Sequence, residues 1–112
     1  MYSEDLADAC IFILKLSEKK FFEFLNKSKL KENPPIMNVG VGSDLTINEL
    51  ARKISKLTCF SGKIIHDLNM PDGTPKKLLD VTLINNIGWK AKTSLKVGLT
   101  RTYNDFCKRY KS

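Results

Sequence analysis

Ile36-Met37-Asn38-Val39-Gly40-Val41-Gly42-Ser43-Asp44-Leu45-Thr46-Ile47-Asn48-Glu49-Leu50 changes its local period partway along. Ile36 to Val41 is a short apolar run between Pro35 and Gly42, the pattern of a buried strand. Gly40 and Gly42 then allow a tight turn. Thr46 and Glu49 stand in the T-x-x-E spacing of a capping box, so a helix begins there. Ile47, Leu50, Ala51, Ile54 and Leu57 continue it as an apolar helical stripe. A strand, a glycine turn and a capped helix in succession predict an α/β unit.

Outward from this stretch the pattern repeats in weaker form. Towards the amino terminus, Ser3 is an N-cap candidate, with Glu4 and Asp5 in the first helical turn. Leu6, Ala9, Cys10, Ile13 and Leu16 follow at helical spacing, and Phe21, Phe24 and Leu25 suggest a second segment. Asn26 to Pro35 reads as a surface loop. Towards the carboxy terminus, Ile64 and Ile65 suggest another short strand, with His66 a partly exposed strand residue. Asn69 to Pro75 is a loop rich in Pro and Gly. Asp80 can cap a short helix that stops at Gly88, with Trp89 beside it as a packing anchor. Ser94 can cap a last helix with a buried stripe of Leu95, Leu99, Tyr103, Phe106 and Tyr110.

Composition narrows the function classes. The chain has 112 residues, 42% of them hydrophobic and 28% charged, ordinary values for one globular domain. Its net charge of +7 favours phosphate-bearing partners in general. Arginine, the better fork for phosphates and base edges, occurs only at Arg52, Arg101 and Arg109. A scattered lysine excess reads as solvated surface, so no nucleic-acid partner is expected. The three cysteines, Cys10, Cys59 and Cys107, fit neither a disulfide framework nor a metal motif. They read as free, core-packing thiols of a reducing compartment. No metal ligand set is assigned. No apolar run approaches a membrane span, and the expectation is a cytoplasmic protein.

Two absences bear on catalysis. Gly40 and Gly42 lack the third glycine of a G-x-G-x-x-G fingerprint. No Tyr-x-x-x-Lys occurs, since Tyr103 is followed four residues on by Cys107.

Blocks along the chain nevertheless share one family's pattern. Glu4-Asp5-Leu6-Ala7-Asp8-Ala9 resembles the VDDLADA segment of GDP-L-fucose synthases. Asn38 to Asp44 with Thr46 to Leu50 resembles their NVGTGxDxTIxEL. Pro71-Asp72-Gly73-Thr74-Pro75-Lys76-Lys77-Leu78-Leu79-Asp80 resembles PDGTPRKLLD, the block most particular to that family. Ile87-Gly88-Trp89, Ser94 to Leu99 and Thr102-Tyr103 resemble its carboxy-terminal LGW…SLxxGLxxTY. The first and last blocks occur more widely, in extended short-chain dehydrogenases that modify nucleotide sugars.

The resemblance implies a partial α/β fold. The last strand and helix elements of a Rossmann domain would occupy about residues 1–60. Part of a small α/β substrate-binding lobe would occupy about residues 61–112. The family makes GDP-L-fucose from GDP-4-keto-6-deoxy-D-mannose with NADPH, by epimerisation and then reduction. Its cofactor fingerprint and catalytic residues lie before the matched region, so no catalytic or cofactor-binding residue is assigned here. NADP(H) is then the family's cofactor but is not bound by this chain alone, and the isolated chain is expected to be inactive.

The implied partners are a GDP-sugar and an amino-terminal Rossmann domain, or a split partner chain supplying it, with a homo-oligomer as the intact enzyme. The implied substrate-binding residues are Asp72, Lys76 and Lys77. Asp72 can equally be the middle of a Pro-Asp-Gly turn, and one residue can do both. Lys76 replaces the family's arginine and would meet a phosphate only as a point charge. Lys77 can also be read as a solvated loop cation. The alternative function is a stand-alone basic module that binds anions or nucleic acid.

Overall fold

The computed structural model describes residues 1–27, 36–71, 73–74 and 77–110. Its helices are α1 (Ser3–Leu14), α2 (Glu18–Lys27), α3 (Ile47–Leu57), α4 (Thr82–Asn86) and α5 (Leu95–Tyr110). Most of the expected loop 26–35 lies outside the described residues. The chain divides into two compact units, each discontinuous in sequence. The first combines Met1–Gly42 with Leu79–Ser94, and the second combines Ser43–Leu78 with Leu95–Ser112.

The first unit carries a small apolar core of Ala9, Val81, Ile84 and Trp89. Phe12 and Ile13 of α1 pack onto it, as do Met37, Val39, Ile87 and Ala91. The buried side of α1 therefore runs through Asp5, Ala9, Phe12 and Ile13. The expected stripe is displaced, because Leu6 and Cys10 are exposed. Ala9 has the smallest side chain available to that face short of glycine, which lets bulkier groups close against the helix. The cap of α1 also shifts by one residue: Tyr2 is the N-cap, its side chain making no capping hydrogen bond to the helix, and Ser3 is already helical. Ser17 does the equivalent work for α2, its hydroxyl accepting from the Lys20 backbone N–H at 3.4 Å.

In the second unit α3 packs against α5. The capping box of α3 is complete. Thr46 Oγ1 accepts from the Glu49 N–H at 3.1 Å, and the Thr46 N–H donates to Glu49 Oε2 at 2.8 Å. Those bonds satisfy donors that a helix start leaves orphaned. They also hold the Glu49 carboxyl below its usual range, the Thr46 backbone first and its hydroxyl second. The last helix buries Gly98, while Leu95, Phe106 and Tyr110 of its expected buried stripe are exposed.

The α/β expectation is corrected: among the described residues there is no strand. Ile36 to Val41 was the main candidate. Met37 and Val39 pack on the core, but Ile36 is 70% exposed and Val41 also faces outward. A strand exists through its ladder to a neighbour, and this segment has none among the described residues. Ile64 and Ile65 are likewise exposed and unpaired into any ladder. Among the described residues, the Rossmann-strand elements expected near residues 1–60 are thus not formed. Cys10 and Cys59 are also exposed rather than core-packed, with Cys107 half-buried.

Candidate functional site

Two carboxylates of α1, Asp5 and Asp8, turn out to organise the first unit. Asp5 sits on α1 and is only 6% exposed. Its Oδ2 accepts from the Thr93 backbone N–H and its Oδ1 from the Thr93 hydroxyl, both at 2.9 Å. One turn later Asp8 Oδ2 accepts from the Trp89 indole N–H at 2.9 Å and from Lys92 Nζ at 3.2 Å. The Trp89 and Lys92 donors hold the Asp8 carboxyl below its ordinary value. In the sequence these aspartates read as charges near the amino-terminal end of a helix. In the fold they clamp α1 to the segment after α4. Trp89 is the anchor expected of it, at 3% exposure.

Gly40 and Gly42 serve the same unit. A Cβ on Gly40 would lie 3.3 Å from Val81 Cγ1, and one on Gly42 would lie 2.8 Å from Val81 Cγ2. The absent side chains make room for Val81, a core residue of this chain. The glycines do not fit a dinucleotide cradle, whose space would be left for a phosphate.

In the second unit the segment after α3 leads to the loop singled out in the sequence. The His66 ring lies 3.0 Å from Asn48 Oδ1 of α3, tying the segment back to the helix. His66 is exposed and not in a strand. Asp67 Oδ1 accepts from the Asn69 N–H at 3.0 Å, and the Asp67 carbonyl accepts from the Met70 N–H at 3.3 Å. A turn thus precedes Pro71. Lys77 is exposed, consistent with either a ligand contact or a solvated cation. Asp72 and Lys76 lie outside the described residues.

Sequence reasoning missed a pocket of about 410 Å³ formed where α3 meets α5. Lys53, Lys56 and Leu57 line it from α3, and Leu95, Lys96 and Leu99 from α5, with Thr100 beside them. Nothing local could have joined these residues, because they belong to helices far apart in the chain. Among the described residues no cluster of His, Cys, Asp and Glu could hold a metal ion. Among them, too, no helix is long and apolar enough to cross a membrane.

Comparison with curated proteins now decides the kinship. The chain is 39% identical to the GDP-L-fucose synthase of Escherichia coli K12 over 106 residues, 95% of this chain. The chain is homologous to the carboxy-terminal part of the GDP-L-fucose synthases. A probable GDP-L-fucose synthase of rice is 41% identical over 92% of the chain. A GDP-L-colitose synthase of Yersinia pseudotuberculosis is 37% identical over 95% of it. The chain spans 32%, 27% and 30% of these proteins respectively, so about a third of such an enzyme is represented. No family model matches the chain.

Proposed function

We propose that this chain is the GDP-sugar-binding carboxy-terminal part of an NADPH-dependent epimerase-reductase. In this reading the whole enzyme makes GDP-L-fucose from GDP-4-keto-6-deoxy-D-mannose in the cytoplasm. A Rossmann domain, in the same or a partner chain, supplies cofactor and catalysis, and the assembled enzyme is a homo-oligomer. Alone, the chain is inactive. The observation that carries the reading is similarity through 95% of the chain to proteins whose names share a GDP-linked deoxy sugar.

Asp72, Lys76 and Lys77 are the proposed contacts. A carboxylate only accepts hydrogen bonds, so Asp72 suits sugar or ribose hydroxyls and would repel the diphosphate. The lysines suit the diphosphate as point charges. Prolines at 71 and 75 restrict the backbone around them and lower the ordering cost of binding.

The test reunites the chain with the amino-terminal part of a GDP-L-fucose synthase and titrates GDP-L-fucose by calorimetry. Asp72→Ala should weaken binding about tenfold or more, the loss of a hydrogen bond to a charged group. NADPH affinity should stay the same. If Asp72→Ala and Lys76→Ala both bind like the parent while circular dichroism is unchanged, the loop is only a turn. Salt-sensitive retention of the chain on DNA, with none on immobilised GDP, would instead favour the basic-module reading.

A further inference from the structure

We propose that the pocket between α3 and α5 binds a small organic phosphate, independently of the GDP-sugar reading. Lys53 and Lys56 stand nearly one turn apart on α3, and Lys96 lies in the first turn of α5. All three line the pocket, and among the described residues no carboxylate does. Among the described residues none of the three forms an ion pair. Glu49 feels Lys53 along α3 but is already committed to the Thr46 cap. Like charges gathered around one opening raise each other's energy, and an anion placed among them relieves it.

The rest of the lining sets the ligand class. Leu57, Leu95 and Leu99 give the pocket an apolar wall, and Thr100 adds a hydroxyl. Ammonium groups are compact, mobile donors suited to separate phosphate oxygens rather than to a planar carboxylate fork. Their methylene stems can lie along the leucines while the charged ends reach the opening. A volume of about 410 Å³ is within the size of small-molecule sites, roughly 300–1,000 Å³. A phosphate joined to a compact apolar or aromatic body satisfies both halves, which neither inorganic phosphate nor a neutral apolar molecule does. Lys77, the described member of the proposed GDP-sugar contacts, is not among the lining residues, so the two sites can be tested apart.

Equilibrium dialysis of the full chain against naphthyl phosphate, with naphthol and inorganic phosphate as comparisons, provides the test. Naphthyl phosphate should bind saturably and more tightly than either comparison, and added salt should weaken it. Lys53→Gln, Lys56→Gln and Lys96→Gln should each weaken binding about two- to fivefold, as expected of exposed charge pairs. The triple variant should lose on the order of tenfold or more. Lys77→Ala should bind naphthyl phosphate like the parent, whatever it does to GDP-L-fucose. In the unmutated chain, naphthyl phosphate should slow acetylation of these three lysines, read by mass spectrometry, more than that of Lys19 and Lys20 on α2. Absence of saturable binding, parent-like binding by the triple variant, or equal protection of Lys19 and Lys20 would overturn the proposal.

Discussion

At the residue scale, Asp5 and Asp8 show how a carboxylate's role depends on what reaches it. Asp5 is nearly enclosed and satisfies both the backbone N–H and the hydroxyl of Thr93. Asp5→Ala should strand those donors and cost about 1–3 kcal/mol, measured by urea unfolding. A loss near zero would mean that water replaces the carboxylate without penalty. Asp8 makes a prediction in pH. Its folded value is depressed, by the Trp89 indole first and Lys92 next. The unfolded chain therefore takes up the proton more readily. The stabilisation is complete above the unfolded carboxylate value of about 4 and is lost as pH falls through the lower folded value. Asp8→Asn should flatten part of the decline in Tm on acidification. The remaining slope belongs to groups such as Glu49 and Asp80, which are depressed in the same direction by Thr46 and Thr82. An unchanged slope in Asp8→Asn would remove Asp8 from the account.

At the element scale, glycines decide where segments turn. Gly42 has φ +74 and Gly88 has φ +107, both in the region that L side chains rarely adopt. Their surroundings differ. A Cβ on Gly42 would meet Val81 at 2.8 Å, whereas one on Gly88 would have only Phe12 Cζ at an ordinary 4.0 Å. Gly88→Ala should therefore cost about 1 kcal/mol of backbone strain. Gly42→Ala should cost more, because strain adds to overpacking worth about 1–3 kcal/mol. Thermal unfolding of the two variants gives the order directly, and equal losses would mean that Val81 moves aside freely. The glycine turn was legible from Gly40 and Gly42 in the sequence, but the identity of the side chain filling the space was not.

At the scale of the whole molecule, the chain leaves much apolar surface open. Leu14, Ile36, Ile47, Ile65, Leu68 and Tyr110 are all at least 70% exposed. Single exposed apolar residues are ordinary, but side chains as open as these gain by burial when a further domain covers them. The homologous enzymes are about three times longer, and the proposed amino-terminal domain offers a way to cover such surface. The isolated chain should bind a hydrophobic dye and self-associate in size-exclusion chromatography with light scattering. Co-expression with the amino-terminal part of a GDP-L-fucose synthase should reduce both effects. A monodisperse, dye-silent monomer would argue against the expected cover.

The amino-acid sequence by itself determined the features whose causes act over a few residues. The Thr46–Glu49 box, the apolar repeat of α3, the small-residue turn before it and the blocks resembling GDP-L-fucose synthases all lie in contiguous stretches. Tertiary structure decided the rest. Whether Ile36 to Val41 becomes a strand depends on a neighbouring ladder, which apolar composition alone does not supply. Whether Asp5 is a solvated helix charge or a buried clamp depends on Thr93, 88 residues away. Lys53, Lys56 and Lys96 become one pocket only when α3 and α5 meet. A local pattern records the conformational preference of its own segment, whereas burial, hydrogen-bond partners and convergent charge arise when distant segments are brought together.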